Sequence, residues 1–298
     1  SYYRWRKWLA DGTIETSSTY ATTDTVNDGL AFLEEASEPW LLHVSFNAVH
    51  EPLEAPPPEL HTRGDLDGAS PLEIQRAMVE ALDRELGRLL AALTPEVRAR
   101  TLIIVAGDNG TNDEVFEDPT QVGGKLSFLE SGLRVPLVVA GPQVRVPGSE
   151  SLALVSLVDV FPTVAEVAGV DLTTLPDVDD PSRPLILDGL SLLPVLAHPR
   201  RELHDTLYTE VFHPNGAEVE HDKDRVAVRD RRYKLVRYRT GGDEEFYEID
   251  RVTFRDGPEL LAGGALTAPQ QAALDRLRAE DDARTAAMLA DQPWPPIP

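Results

Sequence analysis

Apolar positions recur along this chain with two different periods, and the change between them divides it. From Ser70 to about Leu93, Met78, Leu82, Leu86, Leu89 and Leu93 recur at helical spacing and predict one core-facing stripe. Ser70 is placed to cap that helix, Pro71 suits its first turn, and Glu73 completes a capping box. Asp24 to Ala36 predicts a shorter helix capped by Thr23 or Asp24. Trp40 to Phe46, Thr101 to Gly107 and Pro136 to Ala140 are short apolar, β-rich runs that read as strands, and the second as a buried one. Leu157 to Gly169 predicts a buried helix ended by glycine, and Asp171 to Asp188 a polar, proline-containing excursion.

After about residue 200 the pattern shortens. Asp205 to Phe212, Arg225 to Asp230, Tyr233 to Arg239 and Glu245 to Ile249 read as strands separated by turn residues, hence an antiparallel meander. Thr267-Ala-Pro-Gln270 caps a last helix running to about Ala290, followed by a proline-rich tail. The expected fold class is α/β: residues 1–200 as strands and helices with parallel pairs, residues 201–298 as a small antiparallel sheet with a terminal helix.

Composition narrows the function. With 28 basic against 51 acidic residues the net charge is −23, which argues against nucleic acid and anionic membrane surfaces as partners. An anionic substrate must then be drawn in by local positive charge or a metal. No apolar run approaches a membrane span. The chain has no cysteine, so it offers neither a disulfide nor a thiolate ligand nor a Cys nucleophile. It begins at Ser1, and its methionines are Met78 and Met288, so a processed chain or a fragment is expected. No targeting signal is visible, and the compartment stays open.

Asp108-Asn109-Gly110 follows the Thr101–Gly107 run directly. A carboxylate and a carboxamide at the carboxyl end of a strand suit a hard cation such as Ca²⁺ or Mg²⁺. The same tripeptide is also good turn chemistry, and the residues alone leave both readings open. His50, in Phe46-Asn-Ala-Val-His-Glu-Pro52, lies at the end of another expected strand. It is either a proton donor or anion ligand, or a solvent-exposed loop histidine. Lys125, in Gly123-Gly-Lys125, is one of only four lysines, with Lys7, Lys223 and Lys234. A chain this rich in arginine uses lysine where a compact point charge is wanted, or simply on a loop. A nucleotide P-loop is excluded, since Leu126 stands where Ser or Thr belongs. Asp179-Asp-Pro-Ser-Arg183 has an aspartate where a nucleophile segment of the form Cys/Ser-x-Pro-x-Arg needs Cys or Ser, no Gly-x-Ser-x-Gly elbow occurs, and no His pair suggests zinc.

Taken in order, several segments resemble the sulfatase family of the alkaline-phosphatase-like superfamily. They are Tyr20-Ala-Thr-Thr-Asp24, Val44 to Pro52, Leu102 to Gly110, Gly123-Gly-Lys125, Glu130-Ser-Gly-Leu-Arg-Val-Pro136, Val158 to Thr163, Asp188 to Pro194 and Arg229 to Leu235. The resemblance covers about residues 20 to 250. It implies that residues 1–200 are part of a catalytic domain with a mixed sheet flanked by helices. It implies that Asp108 and Asn109 are two of the ligands to one Ca²⁺ or Mg²⁺, that Lys125 contacts the sulfate, and that His50 binds sulfate or protonates the leaving alcohol. In the family the nucleophile is a formylglycine made from Cys or Ser in a Cys/Ser-x-Pro-x-Arg segment. That segment and the first pair of aspartate ligands are missing here, so this chain alone is expected to be inactive. The substrate implied is a small-molecule or glycan sulfate ester, and by family a periplasmic or secreted setting. A phosphodiester or phosphonate ester hydrolase of the same superfamily is the alternative, and a non-catalytic split subunit the third.

Overall fold

The computed structural model describes residues 1–118, 120–177, 181–211, 224–239 and 241–290, with side chains to residue 287. Asp179 and Asp180 of the excluded nucleophile segment, Phe212 and the proline-rich tail lie outside these residues. The chain forms two compact units: Ser1–Thr101 with Thr111–Gln121, and Leu102–Gly110 with Val122–Pro298.

In the first unit an antiparallel hairpin joins β1 (Trp5–Trp8) and β2 (Ile14–Ser17), turning through Asp11 and Gly12. Gly12 has φ +81°, a conformation open to glycine. Helix α1 (Ala21–Glu35) begins a turn earlier than Thr23 or Asp24 would dictate, and Tyr20 stands before it without a side-chain cap. Asp24 is instead buried in the first turn, where Lys7 Nζ reaches it at 3.0 Å and Asp28 at 2.7 Å. Helix α2 (Pro71–Ala91) carries the expected capping box: Ser70 accepts from Glu73 N–H, and the Glu73 carboxylate accepts from Ser70 N–H at 3.0 Å. Its fully buried positions are Ala77, Met78, Ala81, Glu85 and Leu89, rotated from the expected leucine stripe toward small residues. Close approach to α1 is the reason, since a Cβ on Gly29 would sit 3.3 Å from Leu89 Cδ1. Buried Glu85 is satisfied by the Thr23 hydroxyl and by Arg88. A short helix α3 (Pro95–Arg98) follows. Trp40 to Phe46 is not a strand: its exposure alternates residue by residue, as on a strand, yet it joins no ladder. Period sets which way side chains point, but a strand also needs a partner edge.

The second unit pairs β3 (Ile103–Ala106) with β4 (Leu137–Ala140), antiparallel rather than parallel. Every ladder among the described residues is antiparallel. β3 is only half-buried, with Val105 39% exposed. Between these strands lies a one-turn helix, α4 (Glu130–Leu133). Helix α5 (Val160–Val167) ends at Gly169 with φ +74°, and its Phe161 is exposed, so it is not wholly buried. The short helix α6 (Leu193–Ala197) leads to a five-stranded meander: β5 (Leu207–Val211), β6 (Arg225–Arg229), β7 (Tyr233–Tyr238), β8 (Glu244–Ile249) and β9 (Asp256–Glu259).

Helix α7 (Ala268–Ala290) covers one face of that sheet, and at its start the Gln270 side-chain oxygen accepts from both the backbone N–H and the hydroxyl of Thr267. Ala273, Leu274 and Leu277 pack there on Val228, Tyr233, Leu235 and Phe246. The other face takes Phe128 and Leu133 against Ala227 and Val236. Both faces being buried explains why β7 is buried without alternation from Tyr233 to Val236, Lys234 included.

Two family-like segments meet by backbone in this unit. Asp159, fully buried, accepts from Ser156 N–H at 2.7 Å and Leu190 N–H at 2.8 Å, and His204 Nε2 lies 2.9 Å away. Thr163 Oγ1 accepts from Leu192 N–H at 2.7 Å. A Cβ on Gly189 would lie 2.2 Å from the Val158 carbonyl oxygen, so only glycine fits.

Candidate active site

β3 delivers Asp108 and Asn109 into a loop at its carboxyl end. Gly107 N–H donates to the Pro136 carbonyl at 3.0 Å, and Asp108 Oδ1 accepts from Asn109 N–H at 2.9 Å. The Asp108 and Asn109 side chains stay on the surface, and neither Asn109 nor Gly110 takes the positive φ that the turn reading of the tripeptide relied on. Gly110 then runs against α4: its N–H donates to the Gly132 carbonyl at 2.9 Å, and a Cβ there would lie 2.0 Å from Ser131 O.

Lys125 sits on a tight turn. Ser127 N–H closes it on the Gly124 carbonyl at 2.9 Å, and Ser127 Oγ accepts from Gly124 N–H at 3.0 Å. Gly123 and Gly124 both have positive φ, and so does Leu126, at 71°. Leu126 is 64% exposed, so no packing repays that conformation. The turn also leans on α4, for a Cβ at Gly132 would lie 2.3 Å from Gly124 O and 2.5 Å from Ser127 O. Gly110, Gly132 and Gly124 therefore stack three backbones with no side chain between them. The Asp108–Asn109 loop and the Lys125 turn share one backing, the α4 turn.

His50 belongs to the first unit. The hydroxyl of buried Tyr2 lies 2.5 Å from the Asn47 carbonyl and 2.9 Å from the His50 carbonyl, and shares its proton between them. Burial raises the Tyr2 hydroxyl pKa, so it stays a donor at any ordinary pH. His50 Nδ1 is 2.8 Å from the Glu51 carbonyl, which can only accept, so Nδ1 carries the hydrogen in this contact. The ring lines an open cleft of about 650 Å³ together with Glu51, Pro71, Ile74 and Glu114, and Asn112 holds Glu51 by a hydrogen bond.

Among the described residues no three His, Asp or Glu side chains converge on one point. Asp108 and Asn109 match a hard cation in kind, as oxygen donors, but not in number, since such ions take about 6–8 oxygens. No helix among the described residues is long and apolar enough to cross a membrane.

The scaffold residues Glu130, Arg229, Lys234 and Asp256 were not singled out by sequence reasoning as parts of a site. The signal was present: of the four lysines, Lys7 and Lys234 are both ion-paired and nearly or fully buried.

Residues 2–170 match the family model described as Sulfatase, and residues 124–253 the one described as N-sulphoglucosamine sulphohydrolase, C-terminal. Arylsulfatase G of Rattus norvegicus is 31% identical over 229 residues, which take in 71% of this chain and 39% of that protein. The chain thus spans well under half the length of that relative. A solved putative sulfatase from Bacteroides fragilis superposes with a TM-score of 0.68 at 14% identity, covering 93% of this chain and 62% of that one. A structure solved in complex with its substrate D-glucosamine-2-N,6-O-disulfate gives 0.63 at 19% identity, covering 95% and 73%. A phosphonate monoester hydrolase from Silicibacter pomeroyi gives 0.59 at 18%, covering 93% and 64%. These structural matches bear out the mixed α/β fold with its antiparallel C-terminal sheet. With the family model matched over residues 2–170 of 298, the chain belongs to the sulfatase family.

Proposed function

We propose that this chain carries the sulfate-binding, metal-side part of a sulfate ester hydrolase. The observation that supports this reading is the shared backing of the Asp108–Asn109 loop and the Lys125 turn by α4. Lys125 sets a compact positive charge against a sulfate oxygen, which a protein of net charge −23 needs locally because its overall field repels the substrate. His50 is the proton donor to the leaving alcohol: its Nδ1–H is tied to the Glu51 carbonyl, which orients Nε2 to give up the proton as the sulfur–oxygen bond breaks. Asp108 and Asn109 would supply two oxygens to a Ca²⁺ or Mg²⁺, a cation that when bound polarises the sulfate.

The attacking group lies outside this residue set. The chain has no cysteine and no Ser-x-Pro-x-Arg segment. The 298 residues alone are therefore expected to leave an aryl sulfate intact while still binding inorganic sulfate at Lys125. With only four lysines, a chain labelled with ¹³C-lysine gives a readable spectrum. Titration with sulfate should move the signal that disappears in Lys125→Ala. Turnover of 4-nitrophenyl sulfate by the isolated chain, or an unmoved Lys125 signal, would overturn the reading. The substrate class is a sulfate ester of a small molecule or glycan, supported by the disulfated sugar in one structural neighbour. A phosphonate or phosphodiester hydrolase is the second reading, favoured by the phosphonate monoester hydrolase neighbour. Phenylphosphonate displacing sulfate from Lys125 at lower concentration would support it.

A further inference from the structure

Glu130, the first residue of α4, is buried, and the charges around it come from the C-terminal sheet. Arg229 on β6 pairs with Glu130 Oε2, and Lys234 on β7 lies 3.3 Å from Glu130 Oε1 and 2.5 Å from Asp256 Oδ1. Lys234 has no solvent exposure. Asp256 on β9 closes the ring, its Oδ2 accepting the Glu130 backbone N–H at 2.5 Å. Two carboxylates and two cations balance, as buried charges require. At the other end of α4, the Arg134 guanidinium stacks 4.5 Å over the Phe254 ring. The one-turn helix is therefore pinned to the sheet at one end and to the β8–β9 connection at the other, and it is this helix that backs the Lys125 turn and the Asp108–Asn109 loop.

An apolar pair at Glu130 and Lys234 would fill the same space at less desolvation cost. What a charged ring adds is direction: a hydrogen-bonded carboxylate fixes one orientation, which apolar packing does not. We infer that Lys234, acting through Glu130, is a positioning residue that sets the place of Lys125 relative to Asp108 and Asn109 through the orientation of α4. The inference rests on the sulfate-binding role of Lys125 proposed above.

Two measurements separate positioning from mere support. Lys234→Met leaves one buried negative charge unbalanced and should lower the melting temperature. The double variant Lys234→Met with Glu130→Gln restores the balance, leaving Arg229 opposite Asp256, and should recover much of that melting temperature. A support role predicts that sulfate binding at Lys125 recovers with it. Positioning predicts that the sulfate affinity read from the Lys125 signal stays about tenfold weaker, within the range by which coupled residues act at a distance. Amide exchange gives the second readout without sulfate. Exchange at Gly110 and Ser127, whose N–H groups tie the two loops to α4 and to the turn, should quicken in both variants, while Val226 and Val228 on β6 keep their protection. Unchanged exchange at Gly110 and Ser127 overturns the positioning role, as does full recovery of sulfate affinity in the double variant. A wild-type Lys125 signal that ignores sulfate refutes the proposed function instead, and leaves the exchange test to decide the positioning role.

Discussion

Gly110→Ala should destabilise this protein although alanine is normally the better residue. Gly110 has no positive φ, so its backbone accepts a side chain without strain. In such a place the change stabilises by about 0.4–1 kcal/mol, through the loss of freedom in the unfolded chain. Here the new Cβ would lie 2.0 Å from Ser131 O and 2.6 Å from Gly132 Cα, both backbone atoms of α4. Reaching even 3.0 Å means opening the contact by 1.0 Å, from 2.0 to 3.0. Overpacking of this kind costs about 1–3 kcal/mol, and stretching the Gly110–Gly132 hydrogen bond adds about 1 kcal/mol. Set against the entropic gain, the net loss is about 1–4 kcal/mol. For a unit of this size that is roughly 2–14 °C in melting temperature. Gly87→Ala is the matched control: it is a helical glycine of α2 with nothing within 4 Å of an added Cβ, and should stabilise by about 0.5–1 kcal/mol. Calorimetry on both variants decides the matter, because it resolves separately melting units. If Gly110→Ala melts at or above the wild type, or melts lower with the sulfate response of Lys125 intact, the backbone stack is not what holds the two loops together.

Asp159→Asn should lower stability by about 2–4 kcal/mol, because a carboxylate that satisfies two N–H groups and faces His204 is replaced by a group with its own donors; thermal unfolding measures it. Leu126→Gly should melt at or above the wild type and Leu126→Val below it, since φ 71° suits glycine and is worst for a β-branched residue; the reverse order would mean the turn carries no strain. The Glu73 carboxyl is held below the usual carboxylate range by the Ser70 backbone N–H and then by its hydroxyl. A lowered folded pKa means this contribution to α2 is fully present above the unfolded value of about 4.3 and is lost as pH falls through the folded pKa. An NMR titration of Glu73 checks the direction, and Glu73→Gln should abolish that part of the acid sensitivity.

Much of this architecture was legible in the residues. Ser70 and Glu73 announced α2 because a capping box is a local device, formed within one turn. The meander was legible for the same reason: its strands are joined by short turns and pair with their chain neighbours. What was not legible depended on distant partners. Trp40 to Phe46 has the period of a strand, but the sequence does not say whether an edge stands beside it. The antiparallel pairing of β3 with β4 was hidden because 30 residues separate Ala106 from Leu137. The burial of Lys234 was not legible either, because it depends on the sheet's second covering, the Phe128–Arg134 segment, which lies about a hundred residues away in the chain. The β1–β2 hairpin did have a signal, Asp11-Gly12 between short alternating runs, which went unused.

The family-like segments divide by what they do in the fold. Glu130 to Pro136 and Arg229 to Leu235 are the two sides of one buried ion ring. Val158 to Thr163 and Asp188 to Pro194 are the two sides of another docking, made through Asp159, Thr163 and Gly189. Gly110, Gly124 and Gly132 are contact points of backbone on backbone. Half of the resemblance thus reports scaffold, and a non-catalytic relative would keep it for stability alone. The proposed chemistry would rest on exposed groups, Asp108, Asn109, Lys125 and His50, whose loss would cost the fold little. Leu126 tips the balance between these readings. An exposed leucine held at φ 71° costs about 1–2 kcal/mol and is repaid by no packing. Strain of that kind beside Lys125 is hard to account for in a surface turn without a task, and follows directly if the turn exists to aim an ammonium at an anion.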